Sequence, residues 1–520
     1  MKAKISTAFF CVLFVFLLSA CGNDSKKQEQ PQPITNSNDE IVLASYRQLA
    51  PGNREAYFCS KILYVWEPLI TVDKSGHPLP CLAESWQSSE DAKKWTFHLK
   101  RNVRFHDGTP FNADTVLANL DRIRGKLRRS GYFPMDHRLF YPGLSSYYKV
   151  DEYTVCMEFD RPSISQPYRM TDFASPMFNP NSLNADGDFI NDHIGTGPFK
   201  VVDRKDFEYV VLQRNEDYHG EKAKAEKIRI VSIPDVTVRY SALLAGEIMG
   251  VIDLNAITPV QAQELSQNSA FSVSANKSMS VSFLALNGSK FPFNDVRMRQ
   301  AVSLALDRKQ ITEGLFCGFA KPTVNLLNYT SSFYKELPIQ EDLLAAKQLA
   351  GEVLGNSRAT VIYCIIGDKG ETKSEAELIA YWLDKIGLDV QIKTYELGSL
   401  SRALKKGHFD LVKFGQALII PDASYMFDRY LSPEGDRNKH YKLCFDNDLV
   451  NKLMQQAESA TSIEQKRLCY EQIQETAASE LPLVPISDSM VIVAYSKRLA
   501  DYEARTYGID LPKVRWADAQ

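Results

Sequence analysis

The sequence predicts an α/β protein built from more than one lobe. The chain has 520 residues, 44% hydrophobic and 24% charged, an ordinary globular balance for several domain-sized bodies. Short apolar strands alternate with amphipathic helices along its length. No repeat of solenoid period interrupts that alternation. Lys+Arg number 61 against 64 Asp+Glu, a formal net charge of −3. No basic excess is left to condense on phosphates, which excludes nucleic acid as the main partner.

Lys2 and Lys4 precede Ile5 to Leu18, an almost wholly apolar run. It is shorter than the ~20 residues of a spanning helix and reads as a signal-peptide core. It ends in Leu18-Ser19-Ala20-Cys21, the pattern of a lipobox, in which Cys21 takes a diacylglyceryl anchor and becomes residue one. Removing residues 1–20 leaves 59 basic against 64 acidic residues, a net charge of −5. Residues 21–39 hold no aromatic residue and read as a flexible tether. No other apolar run reaches 18 residues, so the body is expected outside the cytoplasm in the cell envelope. Seven cysteines remain beyond Cys11 and Cys21: Cys59, Cys81, Cys156, Cys317, Cys364, Cys444 and Cys469. None forms a CxxC pair, so most are expected to be small buried hydrophobes.

The folded body opens with the strand Ile41 to Ala44 and a helix over Lys61 to Ile70, ended by Pro68. Trp95 to Leu99 alternates as a strand, and Asp107-Gly108-Thr109-Pro110 turns the chain. Asn112 caps a helix that runs to about Arg124. Strands follow at Val155 to Phe159, Lys200 to Val202, Val210 to Gln213 and Ile228 to Ile233, then a helix from Thr237 stopped at Gly246. The second half offers a strand at Val281 to Leu286 and an amphipathic helix from Asp295 to Leu306. Long helices are expected over 343–354, 375–386 and 463–478, with strands at 361–366 and 390–395.

Several motifs, in order and spacing, carry a resemblance. They include Ala83-Glu84-Ser85-Trp86, Trp95 to Lys100, Val103 to Gly108, Phe111 to Val116, Gly195-Thr196-Gly197-Pro198-Phe199 and Arg214 to Tyr218. Ile233-Pro234-Asp235, Asp295 to Ala301, Asp410-Leu411 and Leu481 to Ile486 complete the set. The chain resembles, over roughly residues 40–515, the large solute-binding proteins of ABC importers for peptides and nickel, solute-binding family 5. The resemblance implies a two-lobed periplasmic-binding-protein-like fold (class II, cluster C type) with an extra subdomain on the first lobe. Lobe I would comprise 40–80, 191–270 and 487–520, its subdomain 81–190, and lobe II 271–486. The implied function is capture of a solute by hinge closure and delivery to membrane permease subunits, by a monomer without a cofactor.

The implied ligand turns on Phe414 to Tyr425. Peptide-binding members carry a Trp and an amine-binding Asp here; by spacing this chain has Gln416 and Ile419, with Asp422 following. A buried ammonium without a carboxylate costs several kcal/mol, which weighs against an ordinary short peptide. Val65-Trp66-Glu67-Pro68-Leu69 and Gly220-Glu221-Lys222 resemble the nickel branch, whose members hold a metal inside a small organic chelator. Tyr132 matches one aromatic of that branch, with Arg128 and Arg129 beside it and Arg169 a further candidate to grip an anion. The eight histidines show no HxH or HExxH spacing, so a metal site made of protein alone is not expected. Gly-x-Ser-x-Gly and GxxxxGK are also absent, and the sequence supports neither an envelope enzyme nor a chaperone over a binding protein. The expected ligand is a short peptide or peptide-like molecule; the alternative is nickel or another metal in a chelator.

Overall fold

A computed structural model describes residues 40–47, 49, 62–126, 137–184, 189–190, 194–254, 256–367 and 370–518. The signal segment, the tether, Cys21, Cys59, Arg128, Arg129 and Tyr132 lie outside the described residues. Most periodic segments fold as their patterns predict. Asn112 accepts from the Thr115 amide and opens the helix Ala113–Asp121. Asp235 caps Val236–Ala245, which stops at Gly246 with φ 75°. Asp295 caps Val296–Ala305. The later helices are Leu343–Leu354, Gly370–Lys385 and Ile463–Glu480. No described helix is long and apolar enough to cross a membrane.

The helix expected over 61–70 does not form; of its described residues, 62–63 alone are helical. Tertiary contacts there override local propensity. A Cβ on Gly195 would lie 1.8 Å from the Val65 carbonyl oxygen, and one on Gly197 2.1 Å from that of Tyr64, so two glycines let one backbone press on another. The Gly197 amide donates to the Val65 carbonyl at 2.9 Å. Glu67 is buried and accepts from the Thr196 hydroxyl and the Tyr218 phenol, each at 2.7 Å, with His219 Nε2 at 2.9 Å. The cysteines also differ from expectation. Of the six described, all free thiols, Cys156 and Cys364 are buried, three are half-buried and Cys444 is exposed.

One mixed sheet of 11 strands runs through the molecule. At one end, Ile41–Ser45 lies parallel to Lys227–Ser232, followed by the antiparallel Tyr209–Arg214 and Phe199–Lys205. At the other end, Ala359–Ile366 pairs in parallel with both Leu388–Tyr395 and Leu411–Ala417. Phe271–Leu286 and Leu483–Ser496 connect these halves, pairing from Phe271↔Ser496 to Ala285↔Leu483. A strand of 16 residues spans roughly 50 Å, enough to serve both halves. A separate four-stranded sheet holds Ala83–Ser88, Lys94–Leu99, Thr154–Phe159 and Leu144–Asp151. Two buried apolar clusters fill the body. One includes Leu43, Phe97, Ile230 and Val493; the other includes Leu286, Val302, Tyr363 and Trp382.

The pairing of the two long strands breaks where the halves meet. Lys277 faces Met490 and the next pair is Val281↔Asp488, so three residues of one strand oppose one of the other. This bulge bends the strands and takes Met279 out of the ladder. Asp488 beside it is fully buried and accepts from Asn328 Nδ2 at 2.9 Å. Burial pushes its carboxyl up to about 8, although Asn328 and the charges of Lys321 and Lys277 pull the other way. In the unfolded chain an Asp loses its proton near pH 4. Between those values the folded state binds more protons than the unfolded one, so stability falls as pH rises. Asp488→Asn is expected to flatten this dependence, which should amount to about 1–4 kcal/mol in the wild type. Urea unfolding at pH 5 and pH 8.5 measures it; an equal loss in both proteins would refute the assignment.

Candidate functional site

Segments from distant parts of the chain meet around a small cavity of about 40 Å³. One wall comes from the hairpin Ile70–Val72 and Pro78–Pro80, from Thr171, Asp172 and Phe173, and from Thr506. The facing wall comes from Met279 at the strand bulge, from Thr330 and Ser331, and from Leu418, Ile419 and Pro421. The volume corresponds to about three water-sized positions, so the walls are closed on each other. The hairpin tip shows how tightly. Gly76, at φ 77°, brings its backbone so near that a Cβ would stand 2.5 Å from the Thr330 carbonyl oxygen.

Local chemistry fixes each wall. Asp73 accepts from the Ser75 and His77 amides at 2.7 and 2.9 Å, which closes the hairpin turn. Asp172 opens a short 3₁₀ turn from a left-handed φ of 44°, a conformation that Asp adopts more readily than most residues. Thr71 donates its hydroxyl to Asp172 Oδ1 at 2.8 Å. The Phe173 ring meets Tyr507 edge-on, with centroids 5.1 Å apart. Across the cleft, the Leu418 amide donates to the Met279 carbonyl at 2.8 Å, which extends the strand Leu411–Ala417 toward the bulge.

The residues singled out in the sequence divide between this cleft and its flank. Ile419 lines the cleft and is half-buried. Gln416 sits in the ladder opposite Val281; its Oε1 accepts from the Tyr430 phenol at 2.7 Å, and its amide nitrogen donates to the Ala417 carbonyl at 2.7 Å. Arg169 and Asp422 come together as partners of each other. Arg169 Nε lies 3.4 Å from Asp422 Oδ2, and the guanidinium also donates to the Leu139 carbonyl at 2.6 Å and to the Ser424 hydroxyl. Asp422 Oδ1 accepts from the Ser424 amide and hydroxyl and from the Tyr470 phenol, at 2.8, 2.6 and 2.9 Å. Lys466 adds a second cation 4.0 Å away. Arg161 and Glu458 form a second ion pair between the same two parts of the molecule.

Beyond the Arg169–Asp422 pair lies a larger chamber of about 560 Å³, lined in part by Arg138, Arg161, Asp428, Glu458 and Lys466. That volume is in the usual range for small-molecule sites. Nearby, Arg122 is buried with its guanidinium over the rings of Phe178 and Phe189, at 5.2 and 4.8 Å, so it belongs to the core. A further cavity, about 720 Å³, is lined in part by Lys277, Lys309 and Lys321. Lys277 and Lys321 stand over the Tyr329 ring and Lys309 pairs with Glu313, so its cations already have local partners. Among the described residues, no three His, Cys, Asp or Glu side chains are placed to hold a metal ion.

Burial pushes the Asp422 carboxyl up, but Arg169 and Lys466 outweigh it and hold it well below the usual carboxylate range. Its stabilising contribution is therefore complete above the unfolded value near pH 4 and fades as pH falls toward the lower folded value. Asp422→Ala leaves two buried cations without their counter-charge. The expected cost is ~3–5 kcal/mol in urea unfolding at pH 7, with a smaller gap between variant and wild type at pH 3. A gap that does not shrink with acid would contradict the pairing.

Comparison with known proteins gives this geometry a family. The model for bacterial extracellular solute-binding proteins, family 5, matches residues 77–438. Heme-binding protein A of Haemophilus influenzae is 26% identical over 552 residues, covering 98% of each chain. The nickel-binding periplasmic protein of Escherichia coli is 29% identical over 399 residues, 72% of this chain and 74% of that one. Among solved structures, NikA of Brucella suis in complex with Fe(III)-EDTA superposes with a TM-score of 0.81 at 22% identity, over 92% of this chain and all of that one. DppA of Helicobacter pylori in complex with the peptide STSA gives 0.72 at 22%, over 92% and 98%. The fold is thus the two-lobed α/β fold that the motifs implied, and the chain is a binding protein and not an enzyme. With the family model spanning most of its folded length, this chain belongs to the bacterial extracellular solute-binding proteins of family 5.

Proposed function

We propose that this protein is the lipid-anchored capture component of an ABC importer, closing two lobes on a short peptide or peptide-like solute. The observation that carries the reading is the cleft itself. Its walls come from two halves that share the paired strands Phe271–Leu286 and Leu483–Ser496, and they meet at Gly76 and Thr330 and at Arg169 and Asp422. A bulged two-strand connection is a natural hinge, because rotation at a few residues there moves a whole lobe. On this reading lobe I comprises 40–80, 191–270 and 487–520, its subdomain 81–190, and lobe II 271–486. Arg169 and Asp422 act as a clasp between the lobes, while Gln416 and Ile419 shape the solute end of lobe II.

The described cavity holds little solute, so loading requires the lobes to part and the clasp to exchange its partners for water. Arg128, Arg129 and Tyr132 remain candidates for the anionic end of the solute. A second reading is a metal carried in a small organic chelator. It is favoured by the nickel-binding relative and by the neighbour solved with Fe(III)-EDTA.

Native mass spectrometry of protein purified from its own host should reveal a co-purifying small solute. Small-angle scattering should show a smaller radius of gyration with that solute than after its removal. An unchanged radius at saturation would count against lobe closure. Anchoring is tested separately: Cys21→Ser should move the protein from the membrane fraction to the soluble fraction, and unaltered fractionation would refute the lipobox reading.

A further inference from the structure

We infer that Asp488 couples lobe closure to uptake of a proton: its carboxyl holds a proton while the lobes are closed and releases it to water as they part. The inference rests on the reading of Phe271–Leu286 and Leu483–Ser496 as the hinge. Asp488 stands opposite Val281, at the edge of the bulge, in one neighbouring strand and opposite Lys321 in the other. It is fully buried, and its Oδ2 meets no donor at hydrogen-bond distance among the described residues. A carboxylate can accept several hydrogen bonds and is costly to bury without them, so the site suits the neutral acid.

Hydrogen bonds connect this acid to the cleft. Asn328 donates to Asp488 Oδ1 at 2.9 Å and to the Ser280 carbonyl, within the bulge, at 3.3 Å. Its own Oδ1 accepts from the Thr330 amide and hydroxyl, at 2.9 and 2.7 Å, which fixes the amide with its nitrogen toward the acid. Thr330 lines the cleft and lies against Gly76 of the facing wall. Parting the lobes withdraws the hairpin tip from Thr330, and rotation at the bulge moves Ser280. Both motions disturb the amide that covers Asp488. The cavity of about 720 Å³ lined by Lys277, Lys321, Tyr329 and Met490 then gives water a route to the carboxyl.

The charged and titratable neighbours set the direction. Burial raises the carboxyl to about 8, against the pull of Asn328, of the Lys321 and Lys277 charges and of the Tyr329 amide. Glu336 pairs with Lys321 at 3.7 Å and tempers its charge. Burial, and after it the Asp488 charge, push the Tyr329 and Tyr334 phenols up, so both stay neutral. Hydration on opening removes the burial and returns the carboxyl toward its ordinary value near pH 4. Between those values the closed state binds more protons than the open one. A solute that selects the closed state therefore binds more weakly as pH rises through that window.

Calorimetry of the full chain with trialanine and with Fe(III)-EDTA, at pH 6 in two buffers of different ionisation enthalpy, counts protons taken up per solute bound. The wild type should take up a number approaching roughly one, and affinity should fall up to about tenfold per pH unit between pH 5.5 and 7.5. Asp488→Asn, nearly isosteric and uncharged, should abolish the uptake and flatten the profile. Lys321→Met, which removes one opposing cation, should keep the uptake and carry the fall to higher pH. Equal uptake in wild type and Asp488→Asn, or an unshifted profile in Lys321→Met, overturns the inference and leaves lobe closure standing. If neither probe binds, scattering by solute-free protein decides. A larger radius of gyration at pH 8.5 than at pH 5.5 in the wild type, and not in Asp488→Asn, supports the coupling; one radius at both pH values overturns it. A radius that does not fall as a bound probe saturates the protein removes the hinge reading and the inference together.

Discussion

The backbone ladder between Phe271–Leu286 and Leu483–Ser496 is the constraint on which the remaining geometry depends. Phe271–Leu286 pairs through its later residues with Leu411–Ala417, and Leu483–Ser496 pairs through Tyr495 with Gly250, so together the two strands link the halves. A sheet resists shear along its strands but tolerates twist and bending where the ladder is interrupted. The interruption falls between Lys277 and Val281, and the residue displaced there, Met279, is also part of the cleft. On the proposed reading, hinge and binding surface are adjacent in sequence, and a rotation at the bulge moves the cleft floor directly.

Opposed to this flexible joint is a set of directional contacts at the cleft's edge. A guanidinium held by a carbonyl, a hydroxyl and a carboxylate has its orientation fixed by all three. Such a clasp is worth most when dry, and opening the cleft returns both charges to water. On the proposed reading, burial favours a closed state, hydration of Arg169, Lys466 and Asp422 favours an open one, and a solute that fills the cleft tips the balance by adding its own contacts.

Much of the architecture was legible in the sequence because it depends on local chemistry. Asn112 caps its helix with its own side chain and Gly246 ends one through its φ, as their positions predict; Asp235 and Asp295 turn out to cap helices read as starting at Thr237 and at Asp295 itself. The segment around Glu67 misled because its conformation is imposed from outside, by Gly195, Gly197, Thr196 and Tyr218. The strand from Phe271 was read only from Val281 onward, since Ser272, Ser274, Asn276, Lys277 and Ser278 break the apolar pattern; that stretch is largely half-buried, not core. At the cleft, Ile419 and Asp422 were singled out through the family resemblance, from their place after Asp410-Leu411. The meeting of Asp422 with Arg169, and of Ile419 with Asp172, joins segments far apart in the chain, and no periodicity signals that. The left-handed backbone at Asp172 is likewise imposed by packing.

The order in which this ladder can form has a consequence for biogenesis. Phe271 pairs with Ser496, so one of the two strands shared by both halves is supplied long after the other. A chain emerging from its amino terminus can form the hairpins of the four-stranded sheet and the capped helices early, from near neighbours in sequence. The long sheet stays incomplete until Leu483–Ser496 arrives, leaving the edge of Phe271–Leu286 open in the interval. Completion of the long sheet thus waits until the residues between the two strands have been made. A chain that crosses a membrane unfolded gains from this delay, because the long-range contacts that would block its passage cannot tighten before Leu483–Ser496 is available.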